Sequence, residues 1–225
     1  MQTISIAIDG PSGAGKSTLA RSIAAKLGYL YVDTGAIYRT IGYYIFTKEI
    51  DPKDEAAVTA RLPEVHVELT YGEDGLQHML LNGRDVTAQI RLPEVSLYAS
   101  AVSAHRSVRA FLLDMQRQLA RTHSVIMDGR DIGTVVLPDA DVKVYLTASA
   151  QARARRRCAE LEQRGTPEAF EKVLREIEER DWNDIHRDVA PLRQAEDAVL
   201  LDTTELDFRE SQAALLNIIQ KRTQL

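Results

Sequence analysis

The run Gly10, Pro11, Ser12, Gly13, Ala14, Gly15, Lys16, Ser17 matches G-x-x-x-x-G-K-[ST], and it constrains this chain more than any other feature. Thr3 to Ile8, just before it, is a short β-branched, apolar run closed by Asp9, Gly10 and Pro11, the pattern of a buried strand. From Ser17 onward, Leu19, Ile23, Ala24 and Leu27 recur at helical spacing, and Gly28 supplies a stop. A strand that feeds a glycine-rich turn and opens a helix makes a phosphate cradle, here Gly10 to Thr18. Glycines let backbone N–H groups point inward, and the helix amino terminus adds partial positive charge. Lys16 is placed to reach β- and γ-phosphates, and the Ser17 hydroxyl to ligate Mg²⁺. Chance would supply on the order of 0.002 such matches in a chain of this composition, so coincidence is rejected.

The rest of the chain continues the alternation. Tyr29 to Val32, Ser124 to Met127, Val142 to Leu146 and Ala198 to Leu201 read as strands. Ala36 to Phe46, Val108 to Ala120, Ala150 to Gln163, Pro167 to Arg180 and Phe208 to Arg222 read as helices. Short apolar strands separated by helices predict an α/β fold: a three-layer P-loop core with a five-stranded parallel sheet covered on both faces. Glu64 to Ile90 breaks the rhythm. Val65, Val67 and Leu69 alternate there with His66, Glu68 and Thr70, and Asp74-Gly75 and Asn82-Gly83 follow as turn signals. A small antiparallel insertion is expected. Arg153 to Arg187 is helix-forming, dense in charge and broken at Gly165-Thr166-Pro167; it reads as a solvated helical hairpin or as a mobile lid.

Composition narrows the function classes. A formal net charge of −5 argues against a general nucleic-acid binder, whose affinity grows with the phosphates it neutralises. Most of the 28 basic residues are Arg, whose planar fork suits bidentate phosphate contacts, although the skew also fits plain compositional bias. The single cysteine, Cys158, excludes an intrachain disulfide and fits a reducing compartment, as a surface or core thiol. The first residues lack the basic-then-apolar pattern of a signal peptide, and no apolar stretch is long enough to span a membrane. A cytoplasmic monomer is expected.

Other motifs separate the P-loop classes. No Asn-Lys-x-Asp tetrapeptide is present to read guanine. The strand at Ser124 to Met127 ends in Asp128-Gly129-Arg130-Asp131, an acid, a turn and a fixed cation, rather than in the adjacent acids of a mechanical ATPase. This favours a second-substrate pocket over a turn with a surface ion pair. Asp33-Thr34-Gly35-Ala36-Ile37-Tyr38-Arg39 opens a helix, and reads equally as an N-cap or as a ligand site at the sheet's carboxyl edge. Arg180, Asp184 and Arg187 fall at i, i+4 and i+7, one helix face, which also describes a stripe of salt bridges. Ser100 and Arg109 carry almost no signal unaided.

With these residues in hand, the chain resembles the bacterial cytidylate kinases. The resemblance rests on GPSGAGKST, DTGAIYR, DGRDIGTVVLPDA and ERDWNDIHRDVAPL in that order, and it runs nearly end to end with the β-rich insertion included. It implies ATP as phosphoryl donor, Mg²⁺, and CMP or dCMP as acceptor. It also implies one nucleoside monophosphate kinase domain over 1–225, with core 1–63, 106–150 and 190–225, an acceptor-binding insertion about 64–105 and a lid about 151–189. By position, Arg39, Arg130 and Arg187 would hold the CMP phosphate, with Thr34, Tyr38 and Asp128 in the same pocket. Arg180 and Asp184 would contact the sugar, and Ser100, Arg109 and Asp131 the base. Arg153, Arg156 and Arg157 resemble the family's lid cations, which with Lys16, Arg130 and Arg187 serve the transferring phosphoryl group. Thr34 stands where many relatives carry Ser, which keeps the hydroxyl.

Overall fold

Ile6, Ala7 and Ile8 are fully buried in strand β1 (Ser5–Asp9), as an apolar run between helical layers requires. The computed structural model describes residues 3–73 and 75–223; Asp74, half of the expected Asp74-Gly75 turn, lies outside them. Two compact units are separated inside a strand and inside a helix: one holds the chain up to Tyr31 and from Ala120 onward, the other Val32–Leu119.

The first unit carries the large sheet. Its strands are β1, β2 (Leu30–Asp33), β6 (Val125–Gly129), β7 (Val142–Thr147) and β8 (Val199–Asp202), in the order β2-β6-β1-β7-β8. The last two residues of edge strand β2 already belong to the second unit. Parallel register sets Ile8 beside Asp128 and Asp9 beside Gly129, so the ends of β1 and β6 lie level. Helices α1 (Lys16–Leu27) and α8 (Phe208–Thr223) close one core: Leu19, Ile23, Leu215 and Ile219 pack with Ile6, Ile8, Ile126 and Val144. Helices α6 (Ala150–Gln163) and α7 (Phe170–His186) form a hairpin with a small core of Ala154, Val173 and Ile177, against which half-buried Cys158 packs. α7 starts three residues later than Pro167 suggests, because the turn at Gly165 runs on into an extended Ala169. It also runs on past Arg180 to His186.

The second unit holds α2 (Thr34–Thr47), α3 (Glu55–Arg61), α4 (Pro93–Val102) and most of α5 (Arg106–Thr122). Its antiparallel sheet is β3 (Val67–Tyr71), β4 (Gln77–Leu81) and β5 (Arg84–Asp85). Asn82 and Gly83 both take positive φ, 51° and 77°, the two-residue turn that matches strand twist in a hairpin. α2 approaches α4 closely because Gly42 has no side chain: a Cβ there would lie 2.7 Å from the backbone nitrogen of Ala99. That packing widens the compact unit beyond the insertion anticipated at 64–105. α3 and α4 had no counterpart in the sequence pattern; Asp54 caps the first, and Pro93 opens the second. Among the described residues, no helix is long and apolar enough to cross a membrane.

Candidate active site

Gly15, at φ 90°, is the N-cap of α1, and neither a side-chain cap nor an acid occupies the first helical turn. The N–H groups at that end can therefore serve an anion. Pro11 and Ala14 are buried, Ser12 is half-buried, and Ser17 and Thr18 are exposed at the start of the helix. Lys16 is buried and folds back across the loop, Nζ donating to the Pro11 carbonyl at 2.7 Å. Burial, then the nearby Arg130 guanidinium, lowers the Lys16 ammonium from its usual range to about 7, against the opposing pull of Asp128, Asp9 and Asp184.

Asp128 stands at the cradle. The Ser17 hydroxyl donates to its Oδ2 at 2.8 Å, and the Tyr31 hydroxyl donates to its Oδ1 at 2.8 Å. A hydroxyl and a carboxylate side by side are the hard oxygen donors that Mg²⁺ accepts, and that ion commonly takes one or two protein groups plus phosphate and water. The residues present fit the ion.

Asp9, at the end of β1, turns its buried carboxylate to the backbone following β6. Oδ1 accepts from Ile132 N and Oδ2 from Gly133 N, each at 2.7 Å. These bonds start a tight turn over Ile132–Val136 with i→i+5 hydrogen bonding, the Leu137 N–H donating to the Ile132 carbonyl at 2.7 Å. Burial pushes the Asp9 carboxyl up to about 6, although both N–H groups pull it down.

Arg130 and Asp131 precede that turn and join a line of alternating charges. Arg130 Nε donates to Asp184 Oδ2 at 2.7 Å, and Arg187 lies 4.0 Å from Asp184 and 3.5 Å from Asp131. Burial raises the Asp184 carboxyl, but Arg130, Arg180 and Arg187 outweigh it and hold the group below its ordinary value. Arg187 is not on the helix face proposed from spacing. α7 ends at His186, Arg187 is extended, and its Nε donates to the Ala190 carbonyl at 2.7 Å.

The three arginines named on α6 diverge. Arg153 leans on the cradle, Nη1 donating to the Ser12 carbonyl at 3.0 Å and Nη2 pairing with Asp181 at 2.7 Å. Arg156 donates instead to the hydroxyl and carbonyl of Thr203 after β8. Arg157 pairs with Glu160 at the surface.

In the second unit, Asp33 serves both as cap and as arginine partner. Its Oδ1 accepts from Ala36 N at 2.8 Å, while Oδ2 pairs with Arg39 at 2.8 Å and Arg91 at 3.5 Å. Thr34 is buried as the first residue of α2. The Arg109 guanidinium lies over the Tyr38 ring, 5.4 Å from its centroid, and donates to the Ser103 carbonyl. Ser100 is half-buried on α4, its carbonyl accepting from the Ser103 hydroxyl. Asp9, Tyr31, Arg91, Asp181 and Thr203 were not among the site residues expected from sequence. Asp9 had a local signal, as the acid that ends the strand before the glycine-rich loop, and Asp181 another, inside the ERDWNDIHRDVAPL motif.

Similarity to known proteins agrees with this chemistry. A family profile described as Cytidylate kinase matches residues 6–221. The cytidylate kinase of Caldicellulosiruptor bescii is 48% identical over 221 residues, covering 98% of this chain and 97% of that one. The cytidylate kinase of Carboxydothermus hydrogenoformans is 48% identical over 217 residues, covering 96% and 97%. An uncharacterized protein from Eubacterium ventriosum shares the fold alone, with a TM-score of 0.53 at 10% identity over 98% of this chain and all of that one. A profile match over residues 6–221 and relatives 48% identical nearly end to end make this chain a member of the cytidylate kinase family and hence a kinase with nucleotide substrates.

Proposed function

We propose that the chain transfers the γ-phosphoryl group of ATP to CMP or dCMP, giving ADP and CDP or dCDP, by direct in-line transfer with Mg²⁺ present. The observation that supports this most is the run of buried Lys16, Asp184 and Asp131 with half-buried Arg130 and Arg187 beyond the level ends of β1 and β6. Phosphoryl transfer asks a protein chiefly for positioning and electrostatic stabilisation, and this run supplies both.

In this reading Lys16 and the loop amides bind the donor's phosphates. Ser17 and Asp128 hold Mg²⁺, which when bound neutralises charge on the β- and γ-phosphate oxygens. Arg39, Arg130 and Arg187 bind the acceptor phosphate, already anionic near neutral pH, so no dedicated general base is needed. Arg180 and Asp184 serve the sugar; Ser100, Arg109 and Asp131 serve the base. A carboxylate at position 131 accepts from the cytosine 4-amino group, where uracil presents an acceptor oxygen. Closure of the α6–α7 hairpin as a lid excludes water and suppresses hydrolysis of ATP. Of the α6 arginines, Arg153 starts nearest the cradle, and Arg156 and Arg157 reach the transferring group only if the hairpin moves. The protein acts as a cytoplasmic monomer on these small molecules, without nucleic acid or membrane.

The test is a panel of nucleoside monophosphates with ATP and Mg²⁺, read by ADP release. CMP and dCMP should be turned over far faster than AMP, GMP or UMP; equal rates, or release without any acceptor, would overturn the reading. Asp131→Ala should erode the preference for CMP over UMP more than it weakens ATP.

A further inference from the structure

Asp33 ends an edge strand, so among the described residues one side of its backbone has no strand neighbour. A side chain fills that role. Gln77, the first residue of β4 in the inserted sheet, accepts from the Asp33 N–H through Oε1 at 2.7 Å and donates through Nε2 to the Asp33 carbonyl at 3.2 Å. One amide thus makes both hydrogen bonds that an adjoining strand would make. Of the side chains of this length and shape, only an amide can do so: a carboxylate accepts but does not donate, and Leu does neither.

What this clamp fixes is the hub of the acceptor-side arginine. Asp33 Oδ1 is occupied as the cap of α2, which leaves Oδ2 for Arg39. Gly35 supplies the room, because a Cβ there would lie 3.1 Å from both the Arg39 guanidinium and the Asp33 carboxylate. Arg39 itself is mostly buried, and its Nε has no hydrogen-bond partner among the described residues. A guanidinium aligned on one edge by a carboxylate, with a buried donor left over, suits an incoming oxyanion. Its aim depends on where the Asp33 backbone is held.

We propose that Gln77 is a positioning residue for the acceptor phosphate: by clamping both backbone groups of Asp33, it sets the direction of Arg39. The inserted antiparallel sheet then has a task in substrate binding, exerted through β4 and Asp33 with no contact to the nucleotide. The proposal rests on the reading of Arg39 as an acceptor-phosphate ligand, and the control below separates the two.

The experiment measures KM for CMP, KM for ATP and kcat for Gln77→Glu, Gln77→Leu and Arg39→Ala, with thermal midpoints alongside. Gln77→Glu keeps size and the acceptor but puts a charged oxygen where the donor faced the Asp33 carbonyl, so it serves if the Leu variant fails to fold. The expected result is a rise in KM for CMP on the order of tenfold in the Gln77 variants, from loss of one or two hydrogen bonds that orient Asp33. KM for ATP should stay within twofold, and Arg39→Ala should exceed the Gln77 effect. If Arg39→Ala raises KM for CMP while both Gln77 variants leave it unchanged, the positioning role is wrong and the reading of Arg39 stands. Equal rises in both KM values would make Gln77 merely structural. A silent Arg39→Ala would bring down the acceptor reading and the positioning role together.

Discussion

Asp9 offers a case where stability and activity should part. Its carboxylate is buried at the end of β1 and titrates near 6, against 3.8 for an ordinary aspartate. Between those values the folded protein binds a proton that the unfolded chain has released. Stability therefore falls as pH rises through the window, since unfolding free energy decreases wherever the folded state holds more protons. A shift of roughly two units corresponds to about 3 kcal/mol, fully expressed above pH 6 and absent below about pH 4. The neighbours that bear on this group are Asp131, which raises it, and Lys16, which lowers it.

Asp9→Asn mimics the protonated acid in shape and charge. Urea unfolding of both proteins without nucleotide, from pH 4 to pH 7.5, should show the variant gaining on the wild type by about 3 kcal/mol as pH rises. Groups titrating alike in both proteins cancel in that difference. Function should move the other way. The Asn amide has one oxygen for two N–H groups, so either Ile132 or Gly133 loses its acceptor and the turn after Arg130 and Asp131 loosens. A fall of roughly tenfold in kcat/KM at pH 7 is expected from one such bond. Parallel stability curves, or a variant that loses stability with rising pH relative to wild type, would refute the assignment of a buried, charge-disfavoured carboxylate.

Four further outcomes follow from the same geometry. Lys16→Ala should cost at least ~3 kcal/mol of transition-state stabilisation, about a hundredfold in the rate of ADP release; in the wild type, ATP binding should take up a proton at pH 8, because bound phosphate restores the charge that burial suppresses above about 7, and binding heats independent of buffer ionisation would contradict this. Asp184→Ala leaves Arg130 without its 2.7 Å partner and should lower stability by about 3 kcal/mol, read from chemical denaturation, whereas Asp184→Asn should cost less. Gly10→Ala places a Cβ 1.9 Å from the carbonyl oxygen of Leu146 in β7, at φ 149°, and should cost about 3 kcal/mol or more, seen as loss of soluble, folded protein.

The large sheet and its helices were legible in the sequence because each depends on its own stretch of chain. Buried strands must be apolar, α1 must follow the cradle, and Asn82-Gly83 closes a hairpin by its own dihedral preference. What escaped is what depends on distant partners. Asp9 reads locally as a strand end, yet its two acceptor bonds reach residues 123 and 124 positions away, and no periodicity reports that. Asp128 reads as part of the DGRD turn, but register beside Ile8 carries it to Ser17.

Arg187 shows the limit most clearly. Helical spacing set it on one face with Arg180 and Asp184, whereas it lies near Asp184 without being in the helix. The helix stops one residue earlier, and the Leu192 N–H donates back to the Asp184 carbonyl at 2.7 Å, so the chain turns and returns Arg187 toward Asp184 and Asp131. The arginines of α6 show the converse. Arg153 and Arg157 are four apart and share a helix face in principle. Asp181 and the Ser12 carbonyl hold Arg153 at the cradle, whereas Glu160 draws Arg157 outward. Where a long cationic side chain ends is decided by the acceptors within its reach, and those are set by tertiary structure, not by the spacing of the arginines themselves.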